Sequence, residues 1–356
     1  MKRYCIGVDV HCAFSEVAML DVAGKLLRRD RCATTIPALV AELEKVVRPR
    51  CVVIEEGPLA DWLWRNLHGH VEEMVVCNPR RNRLIAQEGD KDDPLDAEKL
   101  AQLFRGGYVK AVHRGDCPER AVLKQHVILY HDWVRHRVSE ALRIVSLLRR
   151  QGLFAREKDF QTAQARRDLL SRLPKQSSLA GSLSQDVRWL WKGYDMALAQ
   201  EAWMRRELVR LAKQEEVVRR FVELPGIAWV RGVTLYVWLD TPWRFRNKSA
   251  LWKYLGIGLE RRRSGSGAER LRVPQAVNRP LKSTILGAAK SAVAQGENPF
   301  ADQYRRWLEQ GLSPKLARRN VARSLAATLW GLWKNGSVYR PVGVPAAALN
   351  VAEGSR

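Results

Sequence analysis

The sequence predicts an α/β domain with a mixed sheet, then a helical middle, then a mainly α-helical C-terminal part. Three observations predict it. Apolar runs of strand length alternate with helical spacings over the first hundred residues. Helical spacing then continues from Pro118 to about Phe221. Beyond Val222 the texture changes to a Pro-Gly turn, tryptophans and basic helices. These changes set expected boundaries at 1–117, 118–221 and 222–336, with a loose Pro-, Gly- and Ala-rich tail at 337–356.

The first domain opens with Tyr4 to Val10, an apolar run that reads as a buried strand. A period of two puts Cys5, Gly7 and Asp9 on one face. Ser15 to Val22 and Lys25 to Thr34 are strand-like and joined by an Ala23-Gly24 turn. Pro37 to Val47 has helical spacing through Leu39, Leu43, Val46 and Val47. A strand from Cys51 ends in Glu55-Glu56, and a helix from Leu59 to Leu67 turns Trp62 and Leu63 inward. Val71 to Cys77 is a further strand, and a helix to Phe104 closes the domain.

From Pro118 the apolar stripe is Leu123, Val127, Tyr130, Val134, Val138, Ala141, Val145 and Leu148, a coiled-coil-like spacing with a stutter. Gln151-Gly152 ends that helix. A second stretch, Ser184 to Phe221, runs through Trp189, Leu190, Leu198, Leu208 and Leu211. The pair either spaces two domains, pairs two copies of the chain, or grips a polyanion. Leu224-Pro225-Gly226-Ile227 resembles a helix-hairpin-helix turn, whose backbone amides face phosphates, or is an ordinary Pro-Gly turn. Phe245 to Leu255 and Pro280 to Trp333 read as helices, the latter with Arg305, Arg306, Lys315, Arg318, Arg319 and Arg323 exposed. Ten of the 13 tryptophans lie beyond residue 180. They suit either core positions or stacking on unpaired bases.

At 356 residues the chain has room for two or three cores. No apolar run reaches the length of a membrane span, and the N-terminus lacks signal-peptide character. The six cysteines form no close C-x-x-C pair, which argues against a zinc site and for a reducing, cytoplasmic setting. The net charge of +23 is uneven: residues 1–117 hold 18 basic and 18 acidic residues, residues 118–356 hold 43 and 20. A neutral front and a basic back suggest a catalytic unit joined to one that binds a polyanion, nucleic acid before membrane.

The basic chain gathers five acids in Gly89 to Leu100, with Asp93 and Asp96 three apart around Pro94. In the first turn of a helix those two carboxylates lie roughly side by side, as a hard cation such as Mg²⁺ requires. An acid-rich helix start is also what the helix dipole favours without any metal. Asp9 ends an apolar strand, where an unpaired buried carboxylate would be costly, and Glu55 ends another. In the back half three arginines, Arg261, Arg262 and Arg263, precede Ser264-Gly265-Ser266-Gly267. Arginines that neutralise phosphate beside a turn serine suit a hydroxyl nucleophile for a phosphodiester. A basic loop that only touches DNA fits the same residues.

The order of these elements resembles the RNase H-like fold, and Gly-Val-Asp-Val, Val-Val-Ile-Glu and Asp-Asp-Pro-Leu-Asp-Ala fall where RuvC-like nucleases place metal ligands. Over residues 4–336 the chain resembles the DEDD-type transposases of bacterial insertion sequences, bridge-RNA-guided recombinases related to site-specific (Piv-type) DNA invertases. Leu224-Pro225-Gly226-Ile227, Phe245, Tyr254-Leu255-Gly256 and Ser264-Gly265 carry the likeness in the back half, with Gly311, Ala317 and Arg323 in the C-terminal helices. The resemblance implies a metal-binding set Asp9, Glu55, Asp93 and Asp96, with Mg²⁺ or Mn²⁺, and Ser264 as nucleophile. It implies donor and target DNA duplexes as partners, a structured guide RNA, and dimers that pair into a tetramer. Arg80, Arg81, Arg83, Arg261, Arg262, Arg263, Arg318 and Arg319 are the expected nucleic-acid contacts. Glu56 rivals Glu55, Asp92 precedes Asp93, and Ser266 rivals Ser264. Three other readings stand beside this one: a junction-resolving endonuclease that needs the acids but not the serine, a sugar- or acetate-kinase-like ATPase opened by Gly7-Val8-Asp9, and a non-catalytic nucleic-acid scaffold.

Overall fold

The computed structural model describes residues 3–79, 93–174, 180–262, 270–272 and 277–341. They fall in two units, 1–116 and 117–356.

The first unit is built on a five-stranded sheet. Its strands are β1 (Tyr4–Val10), β2 (Phe14–Leu20), β3 (Leu26–Ala33), β4 (Arg50–Glu55) and β5 (Glu73–Cys77), in spatial order β3-β2-β1-β4-β5. β1 pairs antiparallel with β2 and parallel with β4, and β4 pairs parallel with β5. A three-stranded meander continued by parallel crossovers in this order is the RNase H-like arrangement. The β2–β3 turn uses Gly24 at φ +89°, with the Gly24 amide donating to the Asp21 carbonyl.

The alternation of the strands decides which helix covers which face. Ile6, Val8, Val52 and Ile54 form one core with α1 (Ile36–Glu44) and α2 (Ala60–Leu67). Cys5, Cys51, Val53 and Cys77 form the opposite core with α3 (Asp93–Arg105). Thr35 caps α1 by accepting from the Ala38 amide, and Pro37 sits in its first turn. Buried Arg50 satisfies the far end: its Nη1 donates to the Leu43 and Val46 carbonyls at 2.7 and 3.0 Å.

The second unit is helical. α4 (Pro118–Arg150) and α6 (Ala180–Ala212) lie antiparallel, for Leu123 and Val127 share a core with Leu208 and Ala212, and Ile144 and Leu148 share one with Val187 and Trp191. α5 (Ala163–Ser171), which the sequence reading did not separate, closes the second of these cores through Leu169. The stripes differ from expectation. On α4 Val138 is exposed and Ile144 is buried, and on α6 Val187, Trp191, Tyr194, Met204 and Leu208 are buried while Trp189 and Leu198 face out. Arg137 explains part of this: it sits between the helices, paired with Glu201 and Glu157, so the core splits around it.

The rest packs around α8 (Trp229–Leu239), buried on nearly every side from Gly232 to Leu239. It lies against α7 (Glu216–Val222), α10 (Arg279–Ala294), α4 and α6, and the same core takes in α9 (Lys248–Tyr254), α11 (Pro299–Glu309) and α12 (Pro314–Asn335). Asn278, Asn298 and Ser313 cap α10, α11 and α12 ahead of a first-turn proline, and Gly336 in the left-handed region ends α12. Two short strands, β6 (Glu260–Arg262) and β7 (Arg270–Arg272), pair antiparallel where the sequence suggested only a loop. Tyr339 stacks on Phe300 at 6.3 Å and its amide donates to Glu223, so the chain stays packed to that point. No described helix is long and apolar enough to cross a membrane.

Candidate active site at the ends of β1 and β4

β1 and β4 run parallel with Val8 paired to Ile54, so the next step of the register sets Asp9 beside Glu55. Asp9 also stands opposite Glu16 of β2, Glu16 opposite Arg31 of β3, and Glu55 opposite Cys77 of β5. One row thus crosses the whole sheet: Arg31, Glu16, Asp9, Glu55, Cys77.

α3 covers the face that carries this row. A Cβ on Gly7 would lie 2.1 Å from the Ala97 carbonyl oxygen and 2.8 Å from the Ala101 amide nitrogen, so only glycine lets helix and strand backbones meet here. At the other end the Arg3 guanidinium lies 5.3 Å from the centre of the Phe104 ring. α3 therefore runs antiparallel to β1, and its first residue, Asp93, falls toward the end where β1 and β4 stop. Asp93, Ala97 and Ala101 share one stripe of the helix, a turn apart. Gln102 fixes the helix further by donating to the Gly24 carbonyl at 3.0 Å, and Glu98 pairs with Arg29.

The acids differ in surroundings. Asp9 is half-buried and its Oδ2 lies 3.1 Å from His11 Nε2. Glu55 is exposed at the tip of β4. Asp96 is exposed on α3, with Lys99 Nζ at 3.9 Å. Only the backbone position of Asp93 is described. The neighbouring Glu56 is engaged elsewhere: the buried Arg114 guanidinium holds Glu56 with one Nη and Asp61 with the other. Among the described residues no group of three or more His, Cys, Asp and Glu side chains forms a metal-binding cluster.

Two residues of the site escaped the sequence reading. His11 follows Asp9 by two and touches it, a contact that strand-end spacing hints at only weakly. Glu16 is 5 % exposed and paired with Arg31, whose guanidinium lies 4.4 Å from the Phe14 ring centre. The signal available was a lone acid inside an otherwise apolar strand.

Ser264, Ser266, Arg80, Arg81, Arg83, Arg263 and Asp92 lie outside the described residues. Ser264 belongs to the stretch linking β6 to β7, and Arg261 and Arg262 are on β6. Arg318 is exposed on α12 and Arg319 half-buried. Arg323, expected at the surface, instead donates through Nε to the Ile257 carbonyl at 2.8 Å, while Trp252 Nε1 donates to the Arg323 carbonyl at 3.0 Å. Burial, with Arg319 next, lowers its pKa. Gly226 is likewise structural. At φ +79° it packs so closely on α10 that a Cβ would sit 2.2 Å from the Ala288 carbonyl oxygen, so the Pro-Gly turn serves helix packing.

Residues 6–152 match a family model described as a transposase, the DEDD type of the IS110 group. Residues 218–305 match a second, described as the transposase IS116/IS110/IS902 family. No curated protein matches. Among solved structures the chain is similar to T. thermophilus RuvC in complex with Holliday junction substrate, at 17 % identity over 31 % of this chain and 99 % of that one, with a TM-score of 0.23. The strand order, not that slight likeness, identifies the fold. Two models of one family match in order over residues 6–152 and 218–305, and the chain belongs to the DEDD-type IS110 transposases, enzymes that act on DNA.

Proposed function

We propose that this transposase cuts and rejoins DNA through a covalent phosphoserine intermediate, with Asp9, Glu55, Asp93 and Asp96 as a metal-binding group and Ser264 as nucleophile. The observation that carries the reading is the register of β1 on β4, which sets Asp9 beside Glu55 at the end toward which α3 starts. The pairing of Glu56 with Arg114 favours Glu55 as the second acid. A donor set of carboxylate oxygens fits Mg²⁺, or Mn²⁺, better than a softer metal. Bound there, the ion would neutralise charge on the scissile phosphate.

Ser264 Oγ attacks phosphorus. A phosphorus–oxygen bond to the flanking sugar breaks, and that oxygen leaves as a hydroxyl carrying the proton the serine gave up. In the second step a hydroxyl of the partner strand attacks the same phosphorus, the bond to Oγ breaks, and the serine regains its proton. The number of phosphoester bonds is unchanged, so no nucleotide triphosphate is consumed. Arg261, Arg262 and Arg263 flank the serine in sequence and would hold the phosphate. Arg80, Arg81, Arg83, Arg318 and Arg319 would hold strands further out.

The excess of 43 basic over 20 acidic residues in 118–356 supports binding of donor and target DNA, and of a structured guide RNA as the family resemblance implies. Trp189, Met196 and Trp203, all more than half exposed and seven residues apart on α6, support pairing of two chains along this helix, with dimers joining into a tetramer. Ser264 would then reach the acids of a second copy.

Labelled donor and target DNA, the flanking RNA, Mg²⁺ and protein, resolved on a denaturing gel, test the mechanism. A DNA-linked protein band lost in both Ser264→Ala and Asp9→Ala is the expected result. Cleavage without a linked band, unchanged in Ser264→Ala, would leave a hydrolytic nuclease instead.

A further inference from the structure

The second unit holds a cavity of about 820 Å³ between α4, α8 and α10. Its charged and titratable lining is Arg135, Arg231, Arg279, His131 and Tyr130, and among the described residues no carboxylate lines it. We propose that this cavity binds one nucleotide of a single DNA strand, with the phosphate held by Arg135 and Arg279 and the base set against Tyr130.

The arginines are arranged for this. Arg231 is fixed from behind: its Nη1 donates to the Gly226 carbonyl at 2.7 Å and to Ser291 Oγ at 2.8 Å. Gly287 leaves room beside it, since a Cβ there would lie 3.4 Å from Arg231 Nη2. Arg135 and Arg279 are exposed at the rim; Arg135 pairs with Asp132 of its own helix, a solvent-exposed pair that a phosphate can displace. A planar guanidinium suits a phosphodiester better than an ammonium does. The Nε2 of His131 lies 3.3 Å from Thr234 Oγ1, whose own proton goes to the Val230 carbonyl at 2.7 Å, so Nε2 carries a proton toward that oxygen. Burial, and then Arg135, lowers the pKa of the ring and disfavours its charged form.

The floor is apolar: Val134, Val230 and Pro280, with Tyr130 as the aromatic wall. A bare phosphate would leave most of this volume unfilled, whereas a nucleotide has both an anionic and an apolar part. Stacking of a base on an aromatic side chain tolerates any base, because every base has a π-face. DNA is the occupant because the chain acts on DNA. The site rests on the cavity lining and the assignment to DNA on family membership; neither depends on Ser264 or the acids.

The test uses the full-length protein and a fluorescent 12-nucleotide DNA strand, read by anisotropy over a range of salt. Arg135→Gln with Arg279→Gln should weaken binding about tenfold or more and lower the salt slope by about one to two. Arg305→Gln with Arg306→Gln removes the same charge from α11 and should weaken it much less. Tyr130→Leu should abolish any preference for the strand over one with abasic sites. Circular dichroism establishes that each variant is folded. Equal losses in the two double variants would show a diffuse charge effect and overturn the site. A loss confined to an RNA strand of the same sequence would overturn the assignment to DNA.

Discussion

Gly7 and Ala97 meet backbone to backbone, and the missing side chain at Gly7 is what sets the height of α3 above the sheet. Gly7→Ala should therefore push α3 outward and carry Asp93 and Asp96 with it. Overpacking of this kind costs about 1–3 kcal/mol. A lower urea midpoint together with at least a tenfold loss of DNA cleavage is expected. Full cleavage at the wild-type midpoint would show that α3 does not set the site.

Glu55 and Glu56 are adjacent, and the proposed mechanism gives them different duties. Glu55→Gln should abolish cleavage with little change in stability, because the side chain is exposed. Glu56→Gln leaves Arg114 its bond to Asp61 and should cost no more than about 1 kcal/mol, since Glu56 is itself largely solvent-facing. Cleavage assays and urea unfolding of both variants separate the two; the reverse pattern would make Glu56 the functional acid.

His131 gives the second unit a dependence on pH. Burial first, then Arg135, holds its pKa below the ordinary 6.5. The unfolded chain takes up this proton near pH 6.5 while the folded chain resists it, so the stabilisation is complete above that pH and is lost as pH falls toward the folded value. Between pH 7.5 and 5.5 the urea midpoint of the wild type should drop further than that of His131→Asn. Each pH unit inside this window contributes at most about 1.4 kcal/mol. Equal drops would assign the sensitivity to other groups.

The exposed stripe Trp189, Met196 and Trp203 should govern association. Replacing all three with Gln should shift sedimentation toward the monomer with helix content retained. Unchanged sedimentation would overturn pairing of two chains along this helix.

Much of the first unit was legible because its signals are local. Tyr4 to Val10 and Arg50 to Glu55 are largely apolar runs with an acid at or next to the last residue, and Pro94 marks a helix start. The part played by Glu16 was not legible, since it follows from the pairing of β2 with β1 and not from β2 itself. The stripe on α6 was misplaced because tryptophan suits either side of a helix, and a partner helix decides which. β6 and β7 are three residues each and rich in arginine, so no apolar alternation announced them. Arg323 looked like one more surface cation in a basic helix, and its carbonyl partner lies 66 residues away in sequence.

That last contact has a mechanical consequence. Arg323 and Trp252 bolt α12 to the segment ending at Ile257, three residues before β6 begins. Tension on the β6–β7 ribbon would reach α12 within a few bonds. The ribbon is thus mounted like a lever on a fixed post, and any load on it falls on the longest described helix of the C-terminal core.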